Sequence, residues 1–205
     1  MRSALERGLA NATAFSAALS AVAAADRDTW VDLAFGLPEP PADGRDLPRG
    51  CVPYLPCSVD TLLSAVEGAA ITASDVFVDV GSGLGRAITL VHLLTGATTI
   101  GLEVQTALVH SSRALASRLR LARVSTLEGD ASSLVGSVTN GSVFFLYCPF
   151  SGERLSRCWE ALEPLARAEP LRICCVDMPA PACPWLAPHA APAANLRIYR
   201  STKRA

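Results

Sequence analysis

The chain has 205 residues, half of them hydrophobic, and a formal net charge of −1. This length suffices for a single domain with a large buried core, and the hydrophobic content excludes a disordered chain. The near-neutral charge gives no reason to expect nucleic acid or an anionic membrane as a partner.

The first 50 residues predict a helical N-terminal extension with a linker. Residues 4–25 are rich in strong helix formers and predict one amphipathic helix. Residues 38–50 are rich in Pro, Gly, Asp and Arg, which is typical of a loop. Residues 51–205 then form the predicted main domain.

Strands and helices alternate through the main domain. Short apolar runs predict strands, and longer segments with apolar residues every three or four positions predict helices. The predicted strands are 76–80, 98–102, 124–127, 142–146 and 171–176, and the predicted helices are 59–70, 86–95, 106–121 and 153–168. Such alternation predicts an α/β fold with a doubly wound, mostly parallel sheet. The proline-rich segment 178–194 is not helical in this prediction, and 195–201 is a last, antiparallel strand.

The seven cysteines predict neither a disulfide framework nor a metal site. None of them forms the C-x-x-C pair that is typical of structural zinc. We interpret them as small buried thiols in a reducing compartment. No apolar run reaches the ~18 residues of a membrane span, and Glu6 and Arg7 interrupt the only stretch with signal-peptide character. The sequence therefore predicts a cytoplasmic protein.

The turn after the first predicted strand is a candidate nucleotide site. The segment 76–86 reads V-F-V-D-V-G-S-G-L-G-R, so three glycines stand between a strand and a helix start, where backbone N–H groups can face a ligand. The spacing G-x-G-x-G followed by Arg86 departs from the dinucleotide fingerprint, and the lysine of a P-loop is missing. Asp79 would repel a pyrophosphate but suits a cationic amino group.

Polar side chains follow the carboxyl ends of several predicted strands, where ligands of open α/β sheets bind. They are Asp79, Glu103, Asp130 and Tyr147. Glu103 can accept hydrogen bonds from both hydroxyls of a ribose, and Asp130 can accept one from the exocyclic amine of a purine. The alternative interpretation is that Asp79 and Glu103 only cap neighbouring helices.

The segments D-V-G-S-G-L-G, G-L-E and E-G-D-A resemble the successive motifs of class I S-adenosylmethionine-dependent methyltransferases, over about residues 52–177. The resemblance implies a Rossmann-like fold and S-adenosyl-L-methionine as the cofactor. The cofactor-binding residues that it implies are Tyr54, Asp79, Gly81, Ser82, Gly83, Gly85, Glu103, Asp130 and Ala131. The G-S-G-L-G-R form, with Y-L-P-C-S-V-D before it, is similar to the branch that includes the non-SET histone-lysine methyltransferases.

The segment Y-C-P-F falls where this family carries its acceptor-facing motif. The resemblance thus implies that Tyr147, Cys148, Pro149 and Phe150 face the substrate, with Tyr147 as a candidate catalytic residue. Tyr147 replaces the Asn of the familiar N-P-P-Y, which disfavours methylation of a planar base. The acceptor stays open between a protein lysine and a small molecule. Two other functions remain open, a non-catalytic cofactor-binding scaffold and an NAD(P)-binding oxidoreductase, the latter disfavoured by Arg86.

Overall fold

The computed structural model describes residues 1–9, 11–40, 47–178 and 182–202. Its helices are α1 (Arg2–Glu6), α2 (Ala12–Ser20), α3 (Arg27–Phe35), α4 (Val59–Gly68), α5 (Arg86–Thr95), α6 (Thr106–Arg118), α7 (Ala131–Leu134) and α8 (Gly152–Ala168). Its strands are β1 (Val76–Val80), β2 (Thr98–Glu103), β3 (Val124–Glu128), β4 (Val143–Tyr147), β5 (Arg172–Val176), β6 (Leu186–Ala193) and β7 (Leu196–Ser201).

The described strands form one seven-stranded sheet in the order β3-β2-β1-β4-β5-β7-β6. Strands β1 to β5 are parallel, whereas β7 is antiparallel to both β5 and β6. The strand order reverses beside β1, which pairs with β2 on one side and β4 on the other. The carboxyl ends of β1, β2 and β4 therefore meet at the point where such sheets bind ligands. The predicted α/β class and mostly parallel sheet are confirmed.

Both faces of the central strands are buried, which explains their uninterrupted apolar runs. On one face Phe77 and Phe145 belong to a buried cluster with residues of α2, α4 and α5, and on the other face Val78 and Phe144 belong to a second cluster with residues of α8. The adjacent cysteines of β5 divide in the same way, with Cys174 in the first cluster and Cys175 in the second. Both are buried free thiols, as the sequence predicted.

The N-terminal helices contribute residues to the first of these two buried clusters. Phe15, Val31 and Phe35 are fully buried, and the Phe15 ring lies 5.8 Å from that of Trp30. The prediction of one continuous helix over residues 4–25 is wrong. Gly8 adopts a left-handed conformation (φ 68°) just after α1, and the side chain of Asn11 caps a separate helix, α2. The domain boundary at residue 50 stays a prediction.

The last two described strands form a hairpin, of which the sequence predicted only one strand. The predicted last antiparallel strand is confirmed as β7, but β6 inside the proline-rich segment was missed. Pro188 and Pro192 are tolerated there because β6 lies at the edge of the sheet. Parts of that segment and of the predicted loop 38–50, namely 179–181 and 41–46, lie outside the described residues. None of the helices in the described ranges is both long and apolar enough to cross a membrane.

Candidate active site

The turn between β1 and α5 needs its glycines for the reason the sequence suggested. The φ values of Gly81, Gly83 and Gly85 are 89°, 54° and 78°. Residues other than glycine rarely adopt this backbone conformation. The amides of Gly81 and Ser82 donate hydrogen bonds to the carbonyl of Leu102, which ties the turn to β2. Gly85 then begins α5 as its N-cap.

An extended segment before α4 crosses this turn. We call residues 51–57 the strap. A Cβ atom added to Gly83 would overlap the ring of Tyr54, so this glycine lets the aromatic ring pack directly on the turn. At its other end the strap pairs with the residues after β4, through a β-bridge between Cys51 and Phe150 and a hydrogen bond from the Val52 amide to the Pro149 carbonyl (3.3 Å).

Strap, glycine turn and strand ends enclose a cavity of about 230 Å³. Its lining includes most of the residues predicted to bind cofactor or substrate: Tyr54, Gly81, Glu103, Asp130, Ala131, Tyr147, Cys148, Pro149 and Phe150. Asp79 and Ser82 line a smaller adjoining cavity of about 30 Å³, which Tyr54, Gly81 and Tyr147 also line. Gly83 and Gly85 shape the turn and contact neighbours instead, since a Cβ at Gly85 would overlap the Ser112 hydroxyl.

Asp79 is a buried acid, only 5% exposed, at the second-to-last position of β1, just before the glycines. Burial, reinforced by the nearby Glu103 carboxylate, raises its pKa well above the ordinary value, and no hydrogen bond from the described residues offsets this rise. The hydroxyl of Ser82 beside it is also buried without a described partner. A cationic group in the small cavity would supply the positive partner that Asp79 lacks among the described residues.

Glu103 joins the end of β2 to the glycine turn, one residue beyond the Val80–Leu102 pair of the sheet. Its Oε2 accepts a hydrogen bond from the Gly83 amide (2.8 Å), and its Oε1 accepts from the amides of Val104 (2.9 Å) and Gln105 (2.8 Å). A carboxylate can accept about four hydrogen bonds. Glu103 therefore organises the turn and retains acceptor capacity on Oε2.

Asp130 follows β3 and caps α7, because its Oδ1 accepts hydrogen bonds from the amide (3.0 Å) and hydroxyl (2.7 Å) of Ser132. Its Oδ2 pairs with Arg154 of α8, whose Nε donates to the Arg49 carbonyl (3.0 Å). Burial opposes ionisation, but the Ser132 hydrogen bonds and Arg154 outweigh it and lower the pKa of Asp130. Asp130 is thus an ionised acceptor at the cavity wall, and its partner Arg154 links α8 to the chain just before the strap.

The Y-C-P-F segment forms the opposite wall, at the end of β4. Burial raises the pKa of the half-buried Tyr147, so its side chain is a neutral phenol at physiological pH. Burial, followed by the nearby Asp177, also raises the pKa of the Cys148 thiol. The S–H of Cys148 donates to the carbonyls of Val176 (3.4 Å) and Asp177 (3.2 Å). Cys148 therefore has the features of a structural wall residue and lacks those of a thiolate nucleophile.

Arg86 contributes to the site in a way that sequence reasoning missed. It is 4% exposed, and its guanidinium donates to the carboxylates of Asp32 (2.6 Å) and Asp28 (2.7 Å) in α3 and to the Cys57 carbonyl of the strap (2.6 Å). Arg86 thus connects the N-terminal extension, the strap and the first residue of α5. The sequence signal was an arginine directly after the glycines, but its partners lie more than 25 positions away and only the fold reveals them.

Asp177 is a second missed residue, because it lies past the last predicted strand of the parallel set. It lines the main cavity beside Tyr147 and Cys148. Its backbone has a left-handed conformation (φ 53°), as does that of Cys148 (φ 41°). Non-glycine residues in this conformation cluster at ligand sites, where the surrounding structure holds them in place.

Comparison with solved structures shows that the chain has the fold of class I S-adenosylmethionine-dependent methyltransferases. An RNA methyltransferase from Salinibacter ruber in complex with S-adenosyl-L-homocysteine is 22% identical, over 72% of this chain and 92% of that one, with a TM-score of 0.52. A candidate methyltransferase from Escherichia coli is 18% identical, over 80% and 92%, with a TM-score of 0.58. A candidate caffeoyl-CoA O-methyltransferase from Staphylococcus aureus is 10% identical, over 73% and 85%, with a TM-score of 0.55.

At these identities the likeness concerns the fold. No family model matches the sequence, and no curated protein matches it significantly. The first of these three proteins acts on RNA by its name, and the third is named for a coenzyme A thioester. A function for this protein must therefore be argued from its own site.

Proposed function

We propose that this protein binds S-adenosyl-L-methionine and transfers its methyl group to an acceptor at the Y-C-P-F wall. The observation that carries the proposal is the convergence of Asp79, Glu103 and Asp130, from the ends of three successive strands, around one glycine turn. Each carboxylate matches a different part of the cofactor. The donor chemistry comes from the cofactor, whose sulfonium carries an already activated methyl group.

The described residues fit this cofactor. Asp79 is a buried acid without a described cationic partner, and the cofactor has an α-ammonium group to pair with it. Glu103 has acceptor capacity left for a ribose hydroxyl, while Asp130 and Ala131 line the wall that we assign to adenine. Tyr54 covers the turn, where it would shield the bound methionine portion from water.

In methyl transfer the protein mainly positions the two reactants and excludes water from between them. The strap supplies Tyr54 and Pro53 on one side of the main cavity, and the Y-C-P-F wall supplies the other. Tyr147 is the candidate to orient the acceptor, as a neutral hydroxyl that can donate or accept a hydrogen bond. A protein lysine and a small molecule are both retained as acceptors.

Binding is tested by thermal unfolding with S-adenosylmethionine, S-adenosylhomocysteine or NAD. At a concentration of 100 times Kd we expect S-adenosylmethionine to add about 2.7 kcal/mol of stability, or about 5–10 °C in Tm. A shift with NAD but none with S-adenosylmethionine would overturn the proposal. Transfer is tested with methyl-labelled cofactor and a host lysate fractionated by size. Cofactor binding without labelling of any fraction would favour a non-catalytic scaffold.

Asp79→Asn should weaken cofactor binding and yet stabilise the cofactor-free protein. The native pKa of Asp79 is raised, so its contribution to stability is present below about pH 4 and is lost as pH rises through that native pKa. Asparagine has the same shape without a charge. We expect the variant to gain a few degrees in Tm, at about 2–4 °C per kcal/mol, and to bind S-adenosylmethionine about tenfold more weakly.

Urea unfolding of both proteins at about pH 5 and about pH 8 checks the stability part. The advantage of the variant should be larger at the higher pH. There the wild-type protein has to bury the charged form of Asp79, which destabilises its folded state. An advantage that is no larger at about pH 8 than at about pH 5 would show that Asp79 is not held with a raised pKa. Unchanged cofactor affinity would remove Asp79 from the cofactor site.

A further inference from the structure

The charged side chains that line the main cavity, among the described residues, are all carboxylates, and the guanidinium of Arg154 pairs with one of them, Asp130, without lining the cavity itself. Among its described lining residues, the carboxylic acids are Glu103, Asp130 and Asp177, and there is no lysine, arginine or histidine. Two of these carboxylates have several partners within the protein. Glu103 accepts hydrogen bonds from three backbone amides, and Asp130 is shared between Ser132 and Arg154.

The third carboxylate, Asp177, is much less engaged. The described side-chain hydrogen bond to it comes from the amide of Asn195 at 3.4 Å, which is long for such a bond. Most of its acceptor capacity is therefore available to a ligand. It is also exposed, so water hydrates the carboxylate until a ligand displaces it.

The backbone at Asp177 is held in place by two neighbouring elements. Its amide donates to the carbonyl of Asn195 (2.9 Å), just before β7, and its carbonyl accepts from the thiol of Cys148 (3.2 Å), just after β4. Both Cys148 and Asp177 have a left-handed backbone conformation. The hairpin β6–β7 and the acceptor-facing segment thus converge to place one carboxylate at the acceptor end of the cavity.

We propose that Asp177 recognises the methyl acceptor and that this acceptor is a basic amine, protonated in solution, rather than a nucleic acid. The inference rests on the proposed methyl transfer and names its substrate class. An ammonium group is attracted to a cavity edge whose described charges are acidic, whereas a polyanionic nucleic acid is repelled. A lysine side chain and a small amine both satisfy this chemistry.

The reaction with an amine balances with these groups. The ammonium first loses one proton to solvent, while the Asp177 carboxylate accepts a hydrogen bond from a remaining N–H and holds the nitrogen. The nitrogen lone pair then forms a bond to the methyl carbon as the carbon–sulfur bond of the sulfonium donor breaks, and sulfur keeps that electron pair. The products are a methylated ammonium and a neutral thioether.

Sinefungin provides a test that does not require the natural acceptor. In this cofactor analogue a primary amine stands where the transferable methyl group would be, so it places a cation at the acceptor end of the site. S-adenosylhomocysteine has no charge there. We expect the wild-type protein to bind sinefungin at least about tenfold more tightly than S-adenosylhomocysteine by calorimetric titration.

Asp177→Asn should reduce that preference at least about fivefold, with little change in the affinity for S-adenosylhomocysteine. Asparagine tolerates the left-handed backbone, so the variant should fold. Glu128→Gln, at another exposed carboxylate beyond the cavity, should keep the wild-type preference. Equal binding of the two ligands by the wild type, or an undiminished preference in Asp177→Asn, would overturn this inference and leave the proposed function standing. Failure of both ligands to bind would overturn the proposed function with it.

Discussion

Glu103→Ala should weaken S-adenosylmethionine binding about 100-fold or more, the largest effect that we expect of any single substitution at the cofactor site. The substitution removes the acceptor for the ribose. It also removes the acceptor that holds the Gly83 amide at 2.8 Å and thereby shapes the glycine turn. Glu103→Gln keeps one acceptor oxygen and should lose about tenfold. Calorimetric titration of each variant measures both effects.

The fold should survive this change at reduced stability. Three backbone amides lose their acceptor, which costs about 1–3 kcal/mol, or about 2–12 °C in Tm. Glu128→Ala is the matched control, because Glu128 is the sheet partner of Glu103 on β3 but contacts Thr106 instead of the cavity. If folded Glu103→Ala binds the cofactor as well as this control does, the ribose assignment is wrong.

The double variant Asp28→Asn/Asp32→Asn should lose about 3 kcal/mol of unfolding free energy, or about 6–12 °C in Tm. The pKa of Arg86 is subject to burial, which lowers it, but the hydrogen bonds and charges of Asp28 and Asp32 raise it overall. Without those two carboxylates a guanidinium that is 4% exposed stays charged and uncompensated. Urea or thermal unfolding measures the loss.

Arg86→Met should cost less than the double variant, although it removes the residue that makes all these contacts. It eliminates the buried charge and fills the volume with an unbranched apolar side chain, while Asp28 and Asp32 are about half exposed and can be hydrated. Adding Arg86→Met to the double variant should restore part of its stability. If Arg86→Met is instead the more damaging change, the hydrogen bond to the Cys57 carbonyl dominates over charge compensation.

The elements around the site could be predicted because their signals are local. Strand β1 and helix α5 were predicted at their observed bounds, since a short apolar run, three glycines and the Gly96 cap are each encoded by neighbouring residues. The strand-end position of Glu103 and Asp130 follows from the same local patterns. Because parallel strands end at one edge of the sheet, those positions also predicted that the carboxylates would converge.

Other features depended on contacts between distant parts of the chain. The strand β6 was missed because its prolines argue against a strand, and they are tolerated only at the edge of the sheet. The role of Arg86 was missed because its partners belong to α3 and the strap. Asp177 was missed because no local pattern distinguishes it, and its place in the cavity depends on Cys148 after β4 and Asn195 before β7.

The sequence by itself determined the glycine turn and the acids that follow β1, β2 and β3, since backbone conformation and strand alternation are set by residues close together. The tertiary structure alone decided the pKa values of these acids and the contacts that hold the strap over the turn. Burial raises the pKa of Asp79, the pairing with Arg154 helps to lower that of Asp130, and Arg86 fastens the strap that carries Tyr54 over the turn. Burial and ion pairing arise only when segments far apart in the chain come together, so the glycine turn is local while the electrostatics of its site are not.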